Sequence, residues 1–411
     1  MEVQYEVCCG LDVHKKSVAA CVRRSGPKGR VSEVRTFGTT TRALLELADW
    51  LTQAGCTHVA MESTGVYWRP VHNLLEGKFE LLLVNARHVK AVPGRKTDVK
   101  DCEWLAQLLE HGLLRGSFVP TAPIRELREL TRYRRQLVQE HSRQVNRVQK
   151  VLETANIKLG DVATDVLGIS GRDMLEALIA GERDPEKLAD LARGRLRHKH
   201  DALCEALLGR VTQHHAFMLR GLLDHIAFLE RQIETFDRCI EEKTRPFAAA
   251  LSRLDGIAGV GLRSAQQILA ELGPDMSRFP TAAHAASWTG ICPGNHQSAG
   301  KRLSGRTRKG NRWLRATLVE CARGAVRKRA NYLAAQYRHI ARRRGDKRAI
   351  VAVAHTILVA AWHLLQHEIE YQDLGPDHFD QLNRDRLARY HQRRLSELGF
   401  KVMLVTSEEA A

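Results

Sequence analysis

The first eighty-five residues alternate short apolar runs with helix-length segments in an order that few layer plans can accommodate. Tyr5–Leu11, Ser17–Val22 and Val31–Phe37 have strand length and composition, and Gly26-Pro27 is a turn signal between the second and third. Arg42–Gln53 reads as a helix, His58–Met61 as a strand, Trp68–Glu76 as a helix and Glu80–Val84 as a fifth strand. A further helix is expected from Asp98 to His111, with Thr97 as N-cap and Gly112 as stop. Three strands, then helix, strand, helix, strand and helix, make an α/β plan with an antiparallel start.

That plan collects acidic residues. Asp12 ends the first strand and Glu62 the fourth, while Asp98 and Asp101 stand three apart on one helix face. Adjacent central strands would bring the first two together, and the helix would close the other two over them. Four uncompensated carboxylates repel one another, so such a cluster makes sense only around cations. Hard oxygen ligands select magnesium, or manganese in its place, and two such ions can polarise a phosphodiester while stabilising the attacking and leaving oxygens. The same residues also suit plain structural roles: Asp98 and Asp101 as first-turn acids favoured by the helix dipole, Asp12 as a strand-end turn residue. His14, Lys15, Lys96 and Lys100 stand where they would reach phosphate or simply face solvent.

At 411 residues the chain is too long for one core, and two or three domains are expected. Its net charge of +17 is concentrated, since Lys301–Arg348 holds 17 basic residues and 2 acidic ones. A local surplus of this kind points to a polyanion more strongly than a diffuse one. The nine cysteines are scattered and include no Cys-x-x-Cys pair, which argues against a disulfide framework or structural zinc and fits a reducing cytoplasm. No signal peptide opens the chain. The apolar run Ile350–Leu365, interrupted by His355 and His363, is too short for a bilayer and reads as a buried helix, so a cytoplasmic protein without membrane association is expected.

The middle of the chain is helical. Leu219, Leu222, Ile226, Leu229, Ile233, Phe236 and Ile240 keep a heptad rhythm, and Leu127, Leu130, Arg134, Leu137, His141, Gln144, Val148 and Val151 repeat it with polar interruptions. Pairing within one chain and self-association through these helices fit the pattern equally. Ile157–His200 is uninformative beyond a basic stretch at Gly194–His200. Near Leu254, Gly256, Gly259 and Gly261 suit a tight turn between helices, as in a helix-hairpin-helix element, whose amides would cradle a phosphate. Ser298 follows in a loop of small residues just before Lys301 and Arg302; neighbouring cations would stabilise an attacked phosphate, although composition alone makes Ser304 equally eligible.

Gly10–Lys15, Met61–Tyr67, Asn85–Lys90 with Lys96–Asp101, Leu254–Gly273 and Gly290–Arg315 together resemble the insertion-sequence-110 family of bacterial mobile-element transposases. The resemblance implies a ribonuclease-H-like, resolvase-type domain at about 1–118, a helical coiled-coil middle at 119–250, and a mainly α, serine-bearing transposase and nucleic-acid-binding domain at 251–411. It places the family's DEDD carboxylates on Asp12, Glu62, Asp98 and Asp101 and its nucleophilic serine on Ser298. It further implies magnesium as cofactor and donor and target DNA and a structured bridge RNA as partners. A homo-oligomer, dimer or tetramer, is expected as well; the distance in sequence between Ser298 and the acids, with a coiled coil between them, leaves open whether Ser298 of one chain serves the acidic cluster of the same chain or of another. Two other readings fit the residues alone: a magnesium-dependent, structure-selective endonuclease using water, and a noncatalytic nucleic-acid-binding assembly protein.

Overall fold

The computed structural model describes residues 2–26, 29–63, 65–85, 101–294, 296–382 and 384–403. The chain divides into two compact units, Met1–Pro120 and Thr121–Ala411.

The first unit is a mixed five-stranded sheet flanked by helices. Its strands are β1 (Cys8–Val13), β2 (Ser17–Gly26), β3 (Gly29–Gly38), β4 (His58–Glu62) and β5 (Glu80–Val84), in spatial order β3-β2-β1-β4-β5. β1 and β2 pair antiparallel, as do β2 and β3, whereas β1, β4 and β5 run parallel. Helices α1 (Thr41–Gln53) and α2 (Trp68–Leu75) cover one face, where Leu44, Leu47, Leu51, Val71 and Leu75 pack with Leu11, Val18 and Met61. Helix α3 (Asp101–Glu110) covers the other through Cys102, Leu105, Ala106 and Leu109. Covering both faces explains why β1 is buried at every position but Asp12. The β1–β2 ladder continues to Val13↔Val18 around a turn closed by His14 N–H donating to Ser17 O (2.9 Å), so Asp12 lies inside the strand rather than at its end. The expected helix start at Thr97 and Asp98 lies outside the described residues; Gly112 follows the helix at φ +64°.

At the far end of α3, Glu110 is 1% exposed. Arg23 of β2 donates to it at 2.8 Å, and Arg30 of β3 pairs with its other oxygen. One buried carboxylate thus ties the helix to both antiparallel strands.

The second unit is almost wholly helical. Helices α4 (Ala122–Thr154) and α9 (Gln213–Thr244) form a long antiparallel pair, recorded by the contacts Glu126–Lys243, Arg134–Asp237 and His141–Glu230. Within the heptad seam Leu219, Ile226, Leu229 and Ile240 are buried and Leu222, Ile233 and Phe236 half-buried, so the seam pairs at least in part inside one chain. Arg134, a polar interruption of the seam, finds its partner in Asp237. Between these helices, α5 (Leu159–Val162), α6 (Ile169–Ala180), α7 (Pro185–Asp190) and α8 (His200–Leu207) build a cap whose core joins Leu159, Met174, Leu178, Leu188 and Leu203 to Val148, Leu152, Leu219 and Leu223. The basic stretch is tied into this cap: Arg197 donates to Ala192 O at 3.1 Å and Lys199 to Val162 O at 2.9 Å.

Beyond it lie α10 (Ala248–Asp255), α11 (Leu262–Leu272), α12 (Ala282–Thr289), the hairpin β6 (His296–Ser298) and β7 (Lys301–Ser304), α13 (Arg312–Arg327), α14 (Tyr332–Arg344), α15 (Asp346–His367), α16 (His378–Leu382) and α17 (Arg384–Glu397). At 22 residues α15 is longer than its apolar run suggested, and by length and composition it could cross a membrane. Here it is a core element, burying Ala349, Val353, Ile357 and Ala361, and Trp362 donates its indole N–H to Phe279 O at 2.8 Å.

Glu271, 2% exposed, is the polar centre of this unit. Arg132 of α4 binds both its oxygens, at 2.7 and 2.8 Å, and Asn311 Nδ2 donates at 2.6 Å. Arg128 donates to the carbonyls of Ala270 and Glu271 at 3.0 and 2.7 Å. Glu271→Ala would leave the half-buried Arg132 guanidinium and the Asn311 amide without their acceptor and is expected to destabilise the protein by about 2–4 kcal/mol in denaturant titration; a midpoint near that of the unmodified protein would mean that water replaces the carboxylate at little cost.

Candidate active site

The parallel register of β1 and β4 places Leu11 against Met61, so the next residues, Asp12 and Glu62, are neighbours across the two strands. Alternation sends both toward the face covered by α3, because Leu11 and Met61 belong to the opposite core. Gly10, two residues before Asp12 on the same face, is where α3 presses closest. A Cβ there would lie 2.3 Å from Cys102 O and 2.4 Å from Ala106 N. The missing side chain lets the helix backbone rest on β1 and brings its first residue, the exposed Asp101, to the end of the sheet where Asp12 and Glu62 stand. Asp12 and Glu62 are half-buried, and His14 Nε2 lies 3.0 Å from Asp12 Oδ2.

Three of the four expected acids therefore share one face and one end of the sheet. The fourth, Asp98, lies outside the described residues. Among the described residues no three His, Cys, Asp or Glu side chains are grouped closely enough to hold a metal ion. The donor chemistry nevertheless suits a hard divalent cation, since oxygen ligands on adjacent strands and an overlying helix are what such an ion accepts.

The cysteines nearby take no part in such chemistry. Burial pushes the Cys8 thiol up to about 11 and those of Cys21 and Cys56 up to about 12, so they remain protonated apolar core residues at neutral pH.

In the second unit Ser298 closes β6 and pairs with Lys301 across a two-residue turn. Ala299 at φ +47° and Gly300 at φ +74° give that turn the positive angles that match the twist of a hairpin. Ser298 and Lys301 are both exposed. The hairpin stands on a stem in which Gly294 N–H donates to Arg306 O at 3.0 Å and Asn311 N–H to Trp288 O at 3.2 Å. Ser304 differs in role: its hydroxyl accepts the Arg306 amide at 3.1 Å, a local turn contact. Asn311 caps α13, accepting from the Trp313 and Leu314 amides at 3.0 and 3.1 Å, and the guanidinium groups of Arg132 and Arg312 lie 5.7 and 5.0 Å from the centre of the Trp313 ring.

The turn between α10 and α11 is first of all a packing device. Gly259, at φ +84°, rests on α13, where a Cβ would come within 2.4 Å of Cys321 O and Ala325 N. Gly261 at the start of α11 has open space before it. Sequence reasoning missed Glu271 and Glu110; the only trace of either is a Glu at the end of an apolar helix, without anything to indicate its arginine partners.

The Gly10 contact is testable in the intact protein. Gly10→Ala should push α3 off β1, lowering stability by about 1–3 kcal/mol in chemical denaturation. Stability equal to that of the unmodified chain would mean that the helix is not seated on the strand as described.

Comparison with known proteins finds relatives of both units. Residues 9–157 match the family model DEDD_Tnp_IS110, described as Transposase, and residues 251–338 match Transposase_20, described as Transposase IS116/IS110/IS902 family. A "Probable family 20 transposase" of Pseudomonas aeruginosa is 28% identical over 334 residues, covering 80% of this chain and 89% of that protein. The "Transposase for insertion sequence element IS1111A" of Coxiella burnetii is 24% identical over 302 residues, 71% of this chain and 72% of that protein. A "Putative transposase y4pF/y4sB" of Sinorhizobium fredii is 25% identical over 333 residues, 80% and 77% of the two chains. The two family matches together take in more than half of the chain and contain Asp12, Glu62, Asp98, Asp101 and Ser298, and the protein belongs to the IS110/IS902-type transposases, enzymes of phosphoryl transfer on DNA.

Proposed function

We propose that this transposase cuts and rejoins donor and target DNA using Asp12, Glu62, Asp98 and Asp101 as a magnesium-binding set, with manganese able to substitute, and Ser298 as nucleophile. The observation that carries the reading is the juxtaposition of Asp12 and Glu62 on adjacent parallel strands, with the start of α3 seated above them. The strand order β3-β2-β1-β4-β5, with β2 alone antiparallel to both its neighbours, supports a ribonuclease-H-like, resolvase-type assignment for residues 1–118. On this reading residues 119–250 are the coiled-coil arm, 251–411 the serine-bearing and nucleic-acid-binding part, and the α10–α11 turn a helix-hairpin-helix-like element.

When bound, the divalent ion would supply Lewis-acid polarisation of the scissile phosphodiester. The protein's own steps are these. Ser298 Oγ forms a bond to phosphorus, the bond from phosphorus to a deoxyribose oxygen breaks, and the serine proton passes to that departing oxygen as a sugar hydroxyl. Lys301, opposite Ser298 in the hairpin, offsets charge on the phosphoryl oxygens. Attack by the sugar hydroxyl of a second strand reverses the exchange, releasing Ser298 and joining the new pair of ends. A structured bridge RNA would choose the DNA sites by base pairing, and a homo-oligomer, dimer or tetramer, would hold two duplexes for exchange in the cytoplasm.

Two measurements test this proposal. Incubating the protein with magnesium, element-end and target DNA and the flanking noncoding RNA should yield a DNA-linked peptide containing Ser298. Ser298→Ala should abolish the adduct, Asp12→Ala should abolish cleavage, and both should retain DNA binding; recombination by Ser298→Ala would move the nucleophile elsewhere, and cleavage without an adduct would favour hydrolysis by water. The exposed Arg306, Arg308 and Lys309 should supply sequence-independent backbone affinity. Replacing all three with Gln should reduce the slope of log affinity against log salt by roughly 2–3, and an unchanged slope would remove them from the interface.

A further inference from the structure

The most acidic short stretch of the second unit lies on one of its most basic faces. Between Glu368 and Asp380 the chain carries Glu368, Glu370, Asp373, Asp377 and Asp380 and no Lys or Arg. Glu368 and Glu370 approach Arg253 at the end of α10, at 3.4 and 3.9 Å. Asp373 accepts the Tyr332 amide at 2.9 Å and the Gly375 amide at 2.8 Å, and Tyr371 donates its hydroxyl to it at 3.3 Å. Together with Gly256, Lys328 and Arg329, Tyr371 and Asp373 line a groove of about 600 Å³. Lys328 and Arg329 are exposed beside it.

The same segment also supplies an aromatic ring. Phe379 lies parallel to Tyr332, with centroids 5.4 Å apart and planes at 17°, and parallel to His339, at 5.0 Å and 12°. Along the exposed side of α14, Arg338, Arg342 and Arg343 continue the positive surface. An anion placed on a helix amide, further anions beside an arginine, and a planar ring stacked on two others are the features by which a protein holds a single strand: phosphates on cations, bases on aromatic faces. The tail presents that chemistry with carboxylates in place of phosphates and a phenyl ring in place of a base.

We propose that Arg253, Lys328, Arg329, Tyr332 and His339 form a binding face for single-stranded nucleic acid, and that Glu368–Asp380 is its internal competitor, displaced when the strand binds. This rests on the reading of the protein as one that handles nucleic acid, and it adds a surface apart from the acidic set and from Ser298. The tail raises the threshold for engagement: a strand must offer more contacts than the tail already makes, which disfavours short or isolated strands.

The test is fluorescence anisotropy of a labelled oligothymidylate with the full-length protein. Glu368→Gln, Glu370→Gln and Asp373→Asn together should tighten binding about three- to tenfold. An Asn at 373 can still accept the Tyr332 amide, so the start of α14 keeps its partner. Phe379→Ala changes no charge and should tighten binding on its own, which keeps the test decisive if the triple variant folds poorly. Neutralising three exposed acids of α9, Asp224→Asn with Glu234→Gln and Glu241→Gln, matches the change in net charge and should have a smaller effect. Lys328→Gln with Arg329→Gln should weaken binding and cancel the gain from the tail variants. If the unmodified protein binds the strand and the tail variants bind no tighter than the α9 control, the competition is overturned; if no form of the protein binds any nucleic acid, the functional reading beneath it falls as well.

Discussion

Three helices of the second unit meet at the carboxylate of Glu271. It lies at the end of α11, is nearly sealed from solvent, and is held by Arg132 from the long helix α4 and by Asn311 at the start of α13. A buried carboxylate of this kind gives specificity through the cost of leaving any member unpaired. Three helices distant in sequence must arrive in one geometry for every donor and acceptor to be satisfied. Asn311 also pairs with Trp288 at the base of the hairpin stem, so the network that seats α4 fixes the base of the stem that carries Ser298. Arg135 continues the clasp one turn on, donating to Trp313 O and to the Thr317 hydroxyl at 3.3 and 3.1 Å.

The first unit repeats the device. Glu110 gathers Arg23 and Arg30 and pins the end of α3 to the antiparallel strands, while Gly10 lets the start of the same helix lie flat on β1. A helix fixed at one end by ion pairs and at the other by a missing side chain has little freedom to tilt. The acidic residues at the sheet end therefore inherit their positions from packing some distance away.

These networks also divide the chain's positive charge by role. Arg128, Arg132, Arg134 and Arg135 of α4 lie on internal partners, so their contribution to the net charge is structural. Arg306, Arg308, Lys309, Lys328 and Arg329 are exposed, and they stand in the region where the sequence concentrates its basic residues. A count of charges cannot separate the two groups, because an arginine buried against a glutamate and one facing solvent differ only in what folds against them.

Local pattern was enough to read the five strands, the helices between them and the place of Glu62 at the end of β4, because alternation and helical period are properties of neighbouring residues; the ends of β1, and with them the place of Asp12 inside it, were set by its pairing with β2. It was likewise enough to mark the glycines near Leu254 and the small-residue loop at Ser298. The heptad at Leu219–Ile240 announced a helical partner without naming it, and only tertiary structure chose α4 of the same chain, with Asp237 answering Arg134. The cap at 159–207 escaped sequence reading because its helices are short and bury their apolar residues against two long helices at once, leaving no single period to detect. The start of β1, the seating of α3 on Gly10, the two buried glutamates and the tail laid across α14 were decided by the fold, for each depends on groups far apart in the chain whose meeting no local periodicity encodes.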